Sequence, residues 1–399
     1  MRIEKLGDIC SISSSKRIFA KEYQEVGIPF YRGKEIIEKH LGNKVSTELY
    51  ISKDRYNQIK NKYDVPKIGD ILLTSVGTLG IPWLVDEKEF YFKDGNLTWL
   101  RANENYLNNK FLYLWLISKE ARTQIDIMSI GSTQKALTIE TLKKFNITLP
   151  SIEKQKRICD IIYTITNKIN MNRMINNNLE EQAQAIFKSW FVDFTPFGGI
   201  IPNDWKQTKL GNSCHCLLGG TPRRNKSEYW NGSIPWINSG EVNKFRIIKP
   251  SETITNLGLE KSATKLLPAK TTVLAITGST LGQVSLLEID ACANQSVVGI
   301  IPNDSLPYEF IYPLIKQNIA ELISHQTGGA QQHINKQNVE NLDIVIPTYS
   351  HLVKYQNTVC DIYEMIKNNC FENERLSSVR DTILPKLMSG ELDVSDIDL

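Results

Sequence analysis

The sequence predicts an α+β chain built twice. Two similar mixed α/β domains are separated by two long α-helices that form an antiparallel coiled coil, all related by a pseudo-two-fold internal repeat. Three observations carry this. GSTQKALTIETLKKFNITLP (131–150) lies over GGAQQHINKQNVENLDIVIP (328–347) without a gap, at an offset of 197 residues. A repeat of that length is a whole domain rather than a solenoid unit. Each copy opens with short β-branched and aromatic runs punctuated by Gly, Pro and Asn, and closes on a run with helical period.

Residues 1–150 form the first domain. DILLTSVG (70–77) reads as a strand bounded by turn residues, and YLNNKFLYLWLISKEARTQI (106–125) as one helix. Residues 151–195 form the first long helix: Ile162, Ile165, Ile169, Asn172, Asn176, Leu179, Ala183, Ile186 and Trp190 recur at alternating spacings of three and four. Residues 196–346 form the second domain, in which KLGNSC (209–214) answers KLGDIC (5–10) and IPWINSGEV (234–242) answers IPFYRGKEI (28–36). TTVLAITG (271–278) supplies the matching strand, and Thr280-Leu281-Gly282 answers Thr78-Leu79-Gly80. Residues 347–390 repeat the seam as Val359, Ile362, Ile366, Asn369, Asn373, Leu376, Arg380, Ile383 and Leu387. Two matched heptad seams predict a helix pair. Asn172, Asn176, Asn369 and Asn373 occupy its core and fix the register, because a slipped pairing strands an amide in hydrocarbon. The tail ELDVSDIDL (391–399) reads as a solvated acidic end. WFVDFTPFGG (190–199) reads either as a docking surface or as a junction core between helix and second domain.

With 399 residues, 41% apolar and 23% charged, the composition is that of a globular protein of two or more domains. No apolar run approaches the ~20 residues a bilayer requires, so no membrane partner is expected. The opening MRIEKLGD carries no secretory h-region. Seven cysteines, odd in number and scattered, point to reduced thiols in a cytoplasm. The net charge is only +3, but it is uneven: +5 over 1–150, +1 over 151–195, +1 over 196–346 and −4 over 347–399. A monomer so close to neutral holds phosphates weakly by itself.

A duplicated domain on a duplicated helix implies a target with two separated parts, and antiparallel pairing matches the symmetry of a duplex read at two half-sites. LGGTPRRNKSEYWNGSIPWINSGEV (218–242), Gly-Ser-Thr-Gln at 131–134, Pro-Ser-Ile-Glu-Lys-Gln at 150–155 and LSSVRDTILPKLMSGEL (376–392) resemble the specificity subunit of type I restriction–modification enzymes. The resemblance extends over essentially the whole chain. It implies that each domain reads half of a bipartite site in double-stranded DNA and that the paired helices set the gap. It implies as partners two methyltransferase subunits and, for cleavage, two translocase–nuclease restriction subunits. The first domain has SISSSKRIF (11–19) where the second has a Gly-Thr-Pro turn, so residue-by-residue transfer stops at that loop.

Residues that differ between the copies in corresponding polar loops are the base-reading candidates, since Arg or Lys can bond guanine and Asn or Gln adenine. They are Lys16, Arg17, Arg32, Lys34 and Lys135 in the first domain, and Arg223, Arg224, Lys226, Asn238, Gln332 and His333 in the second. Residues shared by both copies cannot distinguish two half-sites. Thr78/Thr280, Asn96/Asn294 and Gln134/Gln331 are therefore either structural or DNA-backbone contacts. Cys214-His215-Cys216 lacks a second ligand cluster at finger-like spacing, so no metal is expected. There is no ATP phosphate loop, no Asn/Asp-Pro-Pro-aromatic tetrapeptide, no glycine-rich turn for S-adenosylmethionine and no nuclease-like carboxylate constellation. The chain is thus read as non-catalytic and without a cofactor of its own; the resemblance places S-adenosylmethionine, ATP and magnesium in partner subunits. The competing reading is a coiled-coil protein-interaction scaffold that does not read DNA.

Overall fold

The structure is a computed structural model that describes residues 1–87, 89–129, 136–324 and 332–394. It divides into two compact units, Met1–Asn167 with Leu376–Leu399, and Lys168–Arg375.

In the first unit, Cys10–Ser13, Leu97–Ala102, Ile71–Thr74 and Pro82–Leu84 lie in that order in an antiparallel sheet. All four residues of Ile71–Thr74 are buried. Ile71 and Leu73 point into a core with Phe111 and Trp115, while Leu72 points the other way, toward Trp83, Phe92 and Trp99. A strand covered on both faces needs an unbroken apolar run, which explains the sequence ILLT. A second sheet sets Ile28–Tyr31 between Tyr50–Ile51, antiparallel, and Tyr91–Phe92, parallel. Arg2–Lys5 pairs with Asn146–Leu149 as a separate ribbon.

The second unit repeats this topology. His215–Leu218, Val297–Ile301, Thr272–Ala275 and Val284–Leu286 have the same spatial order. Trp230–Ile237 lies between Glu252–Ile254, antiparallel, and Ala291–Ala293, parallel. Leu266–Leu267 adds a fourth strand there, and Lys206–Lys209 pairs with Asp343–Ile346. The long helices run Ile152–Phe191 and Tyr349–Ser389, of 40 and 41 residues. In the first unit, Ile158, Ile161 and Ile162 share a core with Leu387 and Met388; in the second, Ala183 and Phe187 share one with Tyr355, Val359 and Tyr363. No helix among the described residues is long and apolar enough to cross a membrane.

Two expectations change. The single helix over 106–125 is two helices, Asn109–Leu116 and Lys119–Ser129. Asn108 caps the first, accepting from the amides of Lys110 and Phe111 at 2.9 and 3.2 Å, and Ser118 Oγ accepts from the Ala121 amide at 3.3 Å where the second begins. The tail is not wholly solvated either. Val394 is buried and Leu392 packs on the first unit's core, while Asp393 pairs with Lys154 at 2.5 Å. Its alternating apolar residues find a core that the acidic composition conceals. The aromatic stretch at 190–199 is a junction core: Phe191 lies 4.8 Å from Tyr355 and 4.9 Å from Phe310, and Phe197 lies 5.1 Å from Trp205.

Candidate nucleic-acid interface

The strand Ile28–Tyr31 ends at Arg32, which caps the helix Gly33–His40. The Arg32 amide donates to Glu35 Oε2 at 2.8 Å and its Nη2 to Glu35 Oε1 at 2.8 Å. Glu35 is fully buried, so Arg32 is held by the carboxylate it neutralises, with its remaining donors free to turn outward. Beside it, Thr74 Oγ1 donates to the Thr78 carbonyl at 2.5 Å and accepts from the Ile81 amide at 2.9 Å, shaping the turn. Arg32, Lys34, Thr74, Thr78 and Asn96 line one cleft of about 530 Å³. It therefore gathers two base-reading candidates and two of the residues assigned to structure or backbone. Arg17 and Lys16 sit in the neighbouring loop: Arg17 Nε donates to Asp94 at 2.9 Å, and the Lys16 amide to Tyr91 Oη at 2.7 Å. Lys135 and Gln134 lie outside the described residues, as does Gln331 in the second unit.

In the second unit the equivalent of Arg32 is Asn238. It too ends a strand paired in parallel and caps the next helical turn, Ser239–Asn243, accepting from the Gly240 amide at 2.8 Å. Glu241, like Glu35, is buried. Arg224 is committed elsewhere. Its guanidinium lies 3.9 Å over the Trp230 ring and 4.9 Å over Trp236, and both terminal nitrogens bond Glu252. Arg223 is exposed, and Lys226 reaches Glu228 at 3.4 Å. Gln332 and His333 are exposed, and His333 bridges Thr277 on the backbone as Ala136 bridges Val76. Thr280 Oγ1 donates to the Thr277 carbonyl at 3.1 Å.

Asn96 and Asn294 are not one position of the repeat. The Ser75 amide donates to the Asn96 carbonyl, and the Ile276 amide to that of Ser296. The strands beyond pair Thr74 with Leu97 and Ala275 with Val297. The ladder thus equates Asn96 with Ser296, and Asn294 instead builds its own turn by accepting from the Ser296 amide at 3.0 Å. Cys214 and Cys216 are buried while His215 is exposed, as alternation along a strand requires. Burial pushes both thiols up to about 12, disfavouring the thiolate that a metal needs.

The four seam asparagines meet. Asn172 Nδ2 donates to Asn373 Oδ1 at 3.0 Å, and Asn369 Nδ2 to Asn176 Oδ1 at 2.8 Å. Asn172 and Asn176 are 1% and 3% exposed. The 197-residue offset interchanges the two pairs, so this stretch of the helix pair maps onto itself when the helices are exchanged. Rising numbers on one helix meet falling numbers on the other, which is antiparallel pairing.

Sequence reasoning missed a buried charge network in the second unit. The Arg246 side chain is 0% exposed and donates from Nη2 to Glu180 on the first long helix at 2.7 Å and from Nη1 to Tyr312 Oη at 3.1 Å. Lys316 Nζ reaches Glu180 at 2.8 Å, and Lys270 reaches buried Glu288 at 2.7 Å. Burial would raise the Glu180 carboxyl, but the charges of Arg246 and Lys316 overcome it and hold it well below the usual range.

The profile of a family described as type I restriction modification DNA specificity domain matches residues 1–181 and 202–376. The HindI specificity subunit of a type I restriction enzyme from Haemophilus influenzae is 24% identical over 84% of this chain and 90% of its own length. The MjaIX specificity subunit from Methanocaldococcus jannaschii is 26% identical over 99% and 94%. The crystal structure of the type I restriction-modification S subunit from M. genitalium superimposes with a TM-score of 0.61 at 14% identity, covering 97% of this chain and 95% of that one, and so shares its fold.

Proposed function

Because the chain belongs to the type I restriction modification DNA specificity domain family, we propose that each of its two units reads one half of a bipartite site in duplex DNA. It is a DNA sequence-specificity subunit, like the relatives that carry that name, and not a catalyst. One observation carries the division of labour. Arg32 and Asn238 occupy the same place in the two topologies, the cap after the parallel-paired strand, yet differ in the base edges they can address: guanine for Arg, adenine for Asn. A common frame with a changed residue at its half-buried corner is what two different half-sites demand. The long helices set the interval between half-sites and dock the methyltransferase subunits, two per chain. Methyl transfer with S-adenosylmethionine, and ATP- and magnesium-dependent cleavage by two restriction subunits, belong to those partners. Within this reading Arg223, Lys226, Gln332 and His333 remain candidates by exposure. Arg17 and Arg224 are already engaged by Asp94 and Glu252, so base reading would require them to leave those partners.

The test is the methylated motif of the complex, read genome-wide. Arg32→Ala would strand buried Glu35, so Arg32→Lys is the cleaner change: it keeps the charge and loses the bidentate fork. Arg32→Lys should relax one half of the motif and Asn238→Ala the other. Loss of both halves from either substitution, or no salt-dependent duplex binding by the unaltered complex, would overturn the proposal.

A further inference from the structure

The first unit contains an element with no counterpart of similar length in the second: the helix Lys53–Tyr63, sequence KDRYNQIKNKY. The corresponding stretch of the second unit holds only the five-residue helix Asn256–Glu260. The longer helix is anchored by Tyr56 and Ile59, each 1% exposed, in a core with Phe30 and Tyr91. Tyr63 continues the same stripe at helical spacing, yet is 47% exposed. Two ammonium groups flank its ring instead of a core: Lys16 Nζ at 4.5 Å and Lys62 Nζ at 5.2 Å from the centroid. Lys16, Lys53, Lys60 and Lys62 are exposed and carry no ion pair among the described residues. Complementing the helix dipole accounts for Lys60 and Lys62 in the last turn. It does not account for Lys16, brought from a distant loop onto the same ring.

That loop leads to the cleft. Arg17 bonds Asp94, two residues before Asn96 in the cleft wall. Lys16 follows the strand Cys10–Ser13, and the loop that leaves the corresponding strand of the second unit, His215–Leu218, opens with Gly219 and Gly220. Gly220 packs so closely that an added Cβ would lie 2.5 Å from the Thr264 amide nitrogen, which leaves no room for a side chain there. The first unit thus carries a lysine–tyrosine–lysine surface from this loop, where the second unit packs glycine backbone.

We infer that Lys16, Tyr63 and Lys62 form a contact site for the DNA sugar–phosphate backbone beside the first half-site, supplying affinity but no sequence choice. Resting on the DNA-reading function above, this moves Lys16 from base reader to backbone contact. It also matches the +5 charge of residues 1–150 against +1 over 196–346.

The experiment uses the complex with its methyltransferase subunits and compares the unaltered chain with a Lys16→Gln/Lys62→Gln double variant. Binding is measured over a salt series on a duplex carrying the methylated motif and on one with that motif altered. Two lost phosphate contacts should make the slope of log K against log salt shallower by about 1.8, and weaken both duplexes alike, on the order of tenfold or more near ~0.1 M salt. The methylated motif should not change, and Lys16→Arg/Lys62→Arg should restore the slope. An unchanged slope in a double variant that melts normally would overturn the inference, as would a loss confined to one base position. If the unaltered complex shows no salt-dependent duplex binding, the DNA reading itself fails, which separates the two.

Discussion

Replacing Glu180 by glutamine removes the charge that answers Arg246 and Lys316 while keeping the side chain's shape. Burial raises the Glu180 carboxyl, but the two cations outweigh it and hold it at about 2 against an ordinary 4.5. At 1.36 kcal/mol per unit, that difference is roughly 3 kcal/mol of folding stability at neutral pH. Breaking a buried pair by removing one partner independently suggests about 3–5 kcal/mol. For a unit of about 200 residues, each kcal/mol lowers Tm by about 2–4 °C, so the Glu180→Gln chain should lose roughly 6–14 °C in the transition that melts Lys168–Arg375. The pH dependence follows from the sign. A carboxyl lowered in the folded state contributes fully above its unfolded value of 4.5, and the contribution disappears as the pH falls toward 2. The gap between wild type and Glu180→Gln should therefore be widest near neutral pH and close in acid. Calorimetry from pH 7 down to the acid limit of solubility measures both effects. A loss under about 1 kcal/mol, or a gap that stays constant into acid, would refute the reasoning. The double variant Glu180→Leu/Arg246→Met should recover part of the loss, because Glu288 keeps Lys270 and Lys316, its side chain 33% exposed, keeps Tyr312 Oη at 3.4 Å and contact with solvent in place of Glu180.

Two further predictions follow from the frame. Asn369→Leu alone should destabilise the helix pair by about 1–3 kcal/mol, since it leaves the buried Asn176 amide short of a partner; Asn176→Leu/Asn369→Leu together should recover much of that in thermal melts, while cysteine cross-linking along the helices reports a second register. Gly80 and Gly282 hold φ of +71° and +84° beside Ile125 and Ile323, so alanine at either should destabilise by about 1 kcal/mol or more, read as a Tm decrease of the affected unit.

The parts of this fold legible in the sequence are those with a local period or a second copy. The seams could be read because Ile162 to Trp190 and Val359 to Leu387 each repeat a spacing of three and four, and the asparagines because they break that pattern at the same places twice. The break at Ser118 escaped because the apolar period runs through it, and only the cap geometry shows where the second helix begins. Arg224 was legible as a charge, but its partners Trp236 and Glu252 stand 12 and 28 residues away, and no local pattern announces such a pairing. The same holds for Arg246 and Glu180, which the sequence separates by 66 positions. Asn96 and Asn294 were matched by identity where only the ladder could decide.

The equivalences fixed by the ladders sharpen what the duplication has kept. The offset of 206 that joins Ile28 to Ile234 also joins His40 to Arg246, and their partners correspond as well, Tyr113 and Tyr312 lying in matching helices. In the first unit His40 Nδ1 meets Tyr113 Oη at 3.5 Å and the Pro82 carbonyl at 2.9 Å, at the place where the second unit has built an ion network onto the long helix. Strand order, the parallel pair, the capped turn and the buried glutamate persist, while the side chains presented from them change in charge, reach and donor pattern. If these positions read bases as proposed, that constraint shapes them: they are free to differ where they do not hold the sheet. Where one of them is also structural, as Arg32 is through Glu35, its replacement must supply a new partner for what it leaves behind, and Asn238 does so by capping its turn with an amide while Lys244 takes the buried Glu241 at 2.7 Å.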